Sequence, residues 1–558
     1  MLKINYSSKY NTLLISLTIN ILLFAGAFIF FNVKFQTNDD VTMQMIASRF
    51  YTKQPLEFLI FTNVIIGYIL KIFYINFSGI NWYSYYLYFI HFSASTLILY
   101  NFLKIEKSLI KLAQYLIIFY FFELYFLINL QFTTTSFVIG VAGIITFINY
   151  RSDKLSFPII VSIIAVIISG LIREYIFYLI FLLFAPIALY LIFYKKYYKF
   201  ILPIVITLII FFSLRFYNNY HYQQKSDWAN YIKFNSIRGK IHTYTTYLYN
   251  TNNKIVFDKI GWNENDYKMF ISWNFDDKIK YSQEKLEYLN NNIVSPSQSL
   301  KKTITELFDL YLSNGILFIM VILIILSGII ILPKKYKIFI LFTTFFIYLI
   351  SLLILNSAHF PSRLRVSLFF YISIFSIIFI KKEHLVKSIN FLKYRWLKFS
   401  ISSIFLLIIF LLMFKQLDNY IWQDRNVILQ SKKEFTRQIE CLSPEKNKLF
   451  VIWGESLPIE NISPFSNFYN KDSNFNIYSL GWLSHSPINR QILNRFGINE
   501  IYEGLFHENV FVVINSKLYD INYLKQYYID NYKTGIKPIL VNQCEGIEIY
   551  KITKDDTI

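Results

Sequence analysis

Two aspartates stand side by side in Thr37-Asn38-Asp39-Asp40, directly after the first long apolar run of the chain. Adjacent carboxylates can divide one reaction between them. One takes a proton from an attacking hydroxyl as general base; the other orients it, or helps hold a divalent cation (Mg or Mn) against a phosphate leaving group. Asp39 and Asp40 are therefore the candidate catalytic and metal-associated residues. A helical pattern, VTMQMIASRFY, follows at once and ends near Pro55. A capping role competes with the chemical one, because Asn or Asp ahead of a helix satisfies its free N–H groups.

A phosphate calls for cations, and the planar fork of arginine donates two hydrogen bonds to it. Arg173-Glu174 falls in a very short turn between two apolar runs. Arg363 and Arg365 lie in AHFPSRLRVS, with His359 nearby. Arg173, Arg363 and Arg365 are the candidate phosphate-binding residues, and Glu57, Glu174 and His359 are candidate accessories. The competing reading has the arginines reaching to lipid headgroups, or Arg173 paired with Glu174 or with one of the aspartates.

The elements that must position these residues belong to a membrane. The chain has 558 residues and a net charge of +20; it is 55% hydrophobic and 20% aromatic, yet only 16% charged. Soluble domains carry about 25% charged residues, so an ordinary cytosolic enzyme is excluded, as are a collagen and a disordered chain. Eleven runs approach the roughly 20 apolar residues of a spanning helix: 13–33, 82–103, 112–130, 133–150, 157–172, 175–194, 200–216, 308–332, 338–355, 364–380 and 399–415. No cleavage pattern follows the first, which is expected to remain as a helix. Residues 56–75 carry Glu57, Asn63, Gly67 and Lys71 at helical spacing and read as a helix on the membrane surface. On that count the basic turns at Lys104/Lys107/Lys111, Arg151/Lys154, Lys195/Lys196/Lys199, Lys334/Lys335/Lys337 and Lys381 to Lys398 share one side. By the positive-inside rule that side is cytoplasmic, with the N-terminus.

The expected fold is thus an α-helical polytopic membrane protein with an extracytoplasmic C-terminal α/β domain. Residues 1–216 form an N-terminal membrane module with a first outer loop at 35–81. Residues 217–305 form an extracytoplasmic loop domain, 306–415 the C-terminal spans, and 416–558 the α/β domain. In the loop, Trp228, Trp262 and Trp273 among polar residues suit sugar faces, but read more readily as a small aromatic core or as rings resting on the membrane surface, and Asn263 with Asp266 reads as a capping box. In the tail, strands are expected at 448–453, 475–480, 509–515, 536–541 and 546–551. Cys441 and Cys544, the only two cysteines, bracket this domain, and an oxidising compartment permits a disulfide between them. Glu123 falls mid-span and either lines a cavity or pairs with a neighbouring helix; His91 reads as a packing residue. There is no His/Cys zinc spacing, and no P-loop or GxGxxG follows a strand.

The Asn38-Asp39-Asp40 motif, the surface helix of the first outer loop, the many spans and the folded outer tail together resemble the GT-C glycosyltransferase superfamily. Its members include the protein O-mannosyltransferases and the aminoarabinose transferases of lipid A. The chain is most similar to bacterial envelope-polysaccharide membrane proteins with an NDD loop. The resemblance implies an inverting glycosyltransferase of the bacterial cytoplasmic (inner) membrane. It would move a sugar from a polyprenyl-phosphate-linked donor to an extracytoplasmic glycan, lipid or protein acceptor, with no nucleic-acid partner. It places the base or metal-associated role on Asp39 or Asp40. An O-antigen-type polysaccharide polymerase or ligase is the alternative, in which residues 217–305 and the arginines are essential and the aspartates are not. A lipid-linked glycan transporter is a third class, but no internal repeat of the kind common in transporters is visible.

Overall fold

The computed structural model describes residues 9–555 apart from 53, 150–155, 195–197, 199–200, 244–247, 294–298, 358, 391–394, 443–446 and 467–475. Of the basic residues used to set orientation, Arg151, Lys154, Lys195, Lys196, Lys199 and Lys393 lie outside the described residues.

Helix α1 (Lys9–Phe30) leads through a short strand β1 (Lys34–Phe35) into α2 (Asn38–Ala47), which begins at the aspartate motif. Within 56–75 only α3 (Val64–Asn76) is helical, thirteen residues long and short of a span. Then come α4 (Trp82–Ile105) and α5 (Leu109–Ile118), which runs through a π turn at Phe119–Glu123 into α6 (Leu124–Ile128). Strand β2 (Asn129–Leu130) pairs in parallel with β1, Lys34 opposite Asn129 and Phe35 opposite Leu130. This small clamp ties the start of α2 to the start of α7 (Phe132–Asn149).

Helix α7 is the axis of the bundle, buried from Phe132 to Ile148. Its small residues allow α8 (Phe157–Ile172) to cross closely: a Cβ at Gly143 would lie 3.0 Å from the Ser162 carbonyl oxygen. Small residues at a membrane-helix crossing serve this purpose. Helices α9 (Glu174–Leu189) and α10 (Ile201–Gln223) complete the first module, α10 running past residue 216 into the polar segment. There follow α11 (Ser226–Thr243), α12 (Lys254–Lys259), α13 (Glu264–Ile271), α14 (Gln283–Asn292), α15 (Leu300–Leu312), α16 (Ile316–Ile331), α17 (Lys334–Ser357), α18 (Ser362–Ile377), α19 (Lys382–Asn390), α20 (Arg395–Trp422) and α21 (Leu429–Leu442).

Among the described residues six helices are long and apolar enough to cross a membrane, or seven if α15 and α16, bent by 98°, count as one. That is fewer than the eleven expected. Helices α8 and α18 exist at the expected places but have only 16 residues each. Helix α4 has 24 residues, but Tyr, Ser, Thr, His91 and Asn101 interrupt its apolar surface. The run expected at 399–415 begins among residues whose side chains lie outside the described set.

The two polar segments pack against each other. Strands β3 (Leu449–Ile452), β4 (Asn476–Ser479), β5 (Val510–Ile514), β6 (Gly535–Cys544) and β7 (Ile547–Asp555) form a sheet in the order β4-β3-β5-β7-β6. Strand β3 is parallel to both β4 and β5; β7 is antiparallel to β5 and β6. Helices α22 (Pro487–Arg495), α23 (Ile501–Gly504) and α24 (Asn522–Tyr532) connect them. The loop segment packs on this sheet. Trp453 Nε1 donates to the Ser272 carbonyl at 2.7 Å, and the Tyr502 hydroxyl donates to Asn274 Oδ1 at 2.6 Å. Asn263 and Asp266 form the full capping box of α13. Cys441 and Cys544 are joined by a disulfide, their Cα atoms 6.6 Å apart.

Candidate functional site

A cavity of about 800 Å³ opens where α2, the start of α18 and the carboxyl ends of the tail strands meet. Asp39, His359 and Arg363 line it. The strand order explains the tail's share. The chain leaves β3 to one side for β4 and returns on the other side for β5. A crevice at the carboxyl ends of strands opens at such a reversal and is where open α/β sheets bind ligands. Glu455 after β3, Trp482 after β4 and Asn515 after β5 all reach the cavity.

Trp273 of the loop segment closes one wall. It sits in a seat of two glycines. A Cβ at Gly454 would lie 3.1 Å from the Trp273 Cβ and 2.5 Å from the Tyr519 hydroxyl, and Gly481 faces the indole at 3.5 Å. Both glycines have positive φ, as does Trp273 itself at 66°. A non-glycine residue in that region is a strained conformation held by its surroundings, and such residues concentrate at ligand sites.

The two aspartates part company. Asp40 is fully buried behind the cavity wall. Its Oδ1 accepts from the Tyr83 hydroxyl at 2.9 Å and from the Phe132 N–H at 3.0 Å, while Thr37 Oγ1 donates to Oδ2 at 3.3 Å. Burial pushes its pKa up to about 8 against these hydrogen bonds. Asp39, one residue earlier on α2, is half-buried and faces the cavity. Burial raises its carboxyl above the usual range, and the charges of Arg363, Arg173 and Arg238 pull it back. The capping position belongs to Thr37, whose side chain makes no cap bond; both carboxylates sit in the first turn, where the helix dipole favours negative charge.

The other candidates divide in the same way. Arg363 lines the cavity; Arg173 is not part of its lining, though its charge reaches Asp39. The Arg173 guanidinium rests over the rings of Phe132 at 5.0 Å, Phe61 at 5.2 Å and Tyr175 at 5.5 Å. It does not pair with Glu174, whose Oε1 meets Arg215 Nε at 2.7 Å instead. Arg365 is buried and turned from the cavity, donating to the Phe360 carbonyl at 2.5 Å. Glu57 is tied to Lys71 at 2.8 Å, with His221 at 3.6 Å and Lys225 at 3.8 Å. It fastens α3 to α10 and does not line the cavity. Glu123 also has a structural partner: His91 Nδ1 lies 2.9 Å from its Oε1, and His91 Nε2 lies 2.9 Å from Thr135 Oγ1.

Arg238 was not a sequence candidate. It lies on α11, buried over the Trp273 ring at 5.2 Å, and its Nε has no hydrogen-bond partner. Burial lowers its pKa to about 10, and the charge of Asp39 opposes the fall. Its only signal in the sequence is an arginine within SIRGK on an otherwise unremarked helix. Glu455 has its carboxyl raised by burial and by Asp39 across the cavity. The ends of strands were readable, but which ends faced Asp39 was not.

A metal held by both aspartates does not fit this arrangement. The oxygens of Asp40 are engaged by Tyr83, Phe132 and Thr37, and Asp39 already lies in the field of three arginines. Among the described residues no three His, Cys, Asp or Glu side chains are grouped to hold a metal ion. What the arrangement can do is accept a proton at Asp39 while opposing an anion with Arg363, Arg173 and Arg238. No protein-family profile matches the chain, and no curated protein sequence is similar to it.

Proposed function

We propose that this chain is a multi-pass membrane glycosyltransferase of the GT-C type. Its N-terminus lies in the cytoplasm, and the cavity opens on the outer face of a bacterial cytoplasmic membrane. The donor is a sugar on a polyprenyl phosphate, since no nucleotide sugar is available on that face. The observation that supports this reading is the meeting of Asp39 and Arg363 in one cavity, within the reach of two further arginine charges. An acceptor hydroxyl attacks the anomeric carbon and gives its proton to Asp39. The bond from that carbon to the phosphate oxygen breaks, and the lipid phosphate leaves with the electron pair. Arg363, Arg173 and Arg238 oppose the charge that develops on it. Asp40 holds the first turn of α2 in place and touches no substrate. No step passes through a metal.

The test is sugar transfer in membranes carrying the D39N variant, with expression and folding matched to wild type. Transfer should be nearly abolished; unchanged transfer overturns the reading.

The convergence of three arginines, one of them from the loop segment, also favours a polymerase or ligase of the O-antigen type. In that case R363Q and R238Q lose activity while D39N keeps it.

A further inference from the structure

A second cavity, about 320 Å³, lies where α11 and residues 276–283 meet the tail. It falls at the lower end of the roughly 300–1,000 Å³ typical of small-molecule sites. It is separated from the first by β4 and the turn that follows. Side chains alternate along a strand: Ile477 and Ser479 face the first cavity, and Tyr478 faces the second. The turn continues the division, with Trp482 and Leu483 on one side and His485 and Ser486 on the other.

The floor of the second cavity combines rings with amides. Tyr231, Phe234, Tyr478 and Asn489 are all buried there. The His485 imidazole stacks on Phe234, centroids 4.0 Å apart, from a backbone held at φ 65°. Asn489 is 1% exposed, and its Oδ1 has no hydrogen-bond partner. That oxygen is itself buried, so the unmade bond is a cost within the cavity wall. Asn230 and Gln283 stand at the rim.

The charges of this cavity are already spent on one another. Arg490 pairs with Asp227 at 3.3 Å, and Lys278 with Glu500 at 2.9 Å. Asp276 accepts from the Tyr478 hydroxyl and, at 2.7 Å, from the His485 N–H. No basic group is left over for a phosphate or carboxylate. Rings and amides without spare charge match a neutral polyhydroxylated ligand, whose ring faces are apolar and whose hydroxyls bond to amides.

We infer that this second cavity is a binding subsite for a neutral mono- or disaccharide, set back to back with the Asp39 cavity across β4. The wall can carry the fact of occupancy. Asn489 Nδ2 donates to the Ser479 carbonyl at 3.0 Å, and the Ser479 hydroxyl lies 3.2 Å from the Tyr51 hydroxyl in the first cavity. The subsite stands whether or not Asp39 is a catalytic base.

The experiment is saturation-transfer NMR on the full chain in nanodiscs. The probes are methyl glycosides of glucose, galactose, mannose, rhamnose, N-acetylglucosamine and N-acetylgalactosamine, with their β-linked disaccharides. At least one is expected to bind, to lose at least tenfold in affinity in the N230A/Q283A variant, and to bind D39N as it binds wild type. Rim residues are chosen because N489L could disturb folding. Binding that survives N230A/Q283A, failure of every glycoside, or a response only to a divalent cation overturns the assignment. Retained binding with D39N inactive, or with D39N fully active, separates this inference from the catalytic one.

Discussion

The Tyr83 hydroxyl donates to Oδ1 of Asp40 across 2.9 Å, joining α4 to the first turn of α2 in the interior of the protein. That bond makes Asp40 part of the frame and leaves Asp39 alone at the cavity. Y83F should therefore act on stability and on the placement of Asp39 together. Loss of one buried hydrogen bond to a carboxyl typically costs about 1–3 kcal/mol. A lower melting temperature in detergent, with transfer reduced less than in D39N, is the expected result.

Exchanging each aspartate for asparagine separates their roles. D39N should lower turnover by about 10²- to 10⁴-fold, the usual contribution of a general base, with the thermal melt unchanged. D40N keeps the shape and one acceptor, so it should retain most of the turnover and shift the melt. Transfer assays and melts on the same membranes decide it. Equal losses of turnover in the two variants would contradict the division.

The arginines should divide likewise. R363Q should weaken use of the lipid donor about 10- to 100-fold in kcat/KM, with partial recovery in R363K, because lysine keeps the charge but loses the fork. R365Q should leave the apparent donor affinity unchanged and lower stability, since its partner is the Phe360 carbonyl.

At the second cavity, Asp276 and His485 impose opposite pH dependences. Burial raises Asp276 to about 7, so its contribution to stability is full below about pH 4 and falls as pH rises through 7. Burial lowers His485 to about 4, so its contribution is present above about pH 6.5 and falls as pH drops through 4. The two slopes oppose each other between about pH 4 and 6.5. Relative to wild type, D276N should grow more stable as pH rises across that interval, and H485Q less stable. Melts at half-unit steps of pH would measure both slopes.

Reduction of the Cys441–Cys544 bond should loosen the tail. It closes a loop of 103 residues, and the chain-entropy treatment assigns about 4.7 kcal/mol to a loop of roughly that length. A C441S/C544S variant should lose protease resistance in the tail before the helical bundle does.

Much of this architecture was readable in the chain. The five strands of the tail lie where alternating and β-branched runs placed them, and Asn263 with Asp266 caps α13 as their spacing required. The same local reading could not divide Asp39 from Asp40, because one residue of helix turns a side chain by about 100° and only the neighbours decide which face is interior. Those neighbours, Tyr83 and Phe132, are distant in sequence. Glu174 and Glu57 drew notice for their charge, yet both are taken by partners on α10 or beside it. Arg238 drew none, since a single arginine in a polar helix carries no periodic signal. The sequence count of spans is higher because length was judged from apolar runs, while the helices α8 and α18 have only 16 residues each.

The tail stands on a strut. Helix α20, a π turn at Gln423–Ile428 and α21 follow one another without a break from the bundle to the sheet. In the π turn, Asp424 accepts from both the backbone and side-chain N–H of Asn32, at 2.7 and 3.2 Å. Asn32 lies six residues before Asn38, where α2 starts. Floor and roof of the Asp39 cavity thus rest on one anchor, like two jaws machined on the same block. The relative placement of floor and roof is therefore tied to the Asn32–Asp424 contact, between two residues far from each other in the sequence.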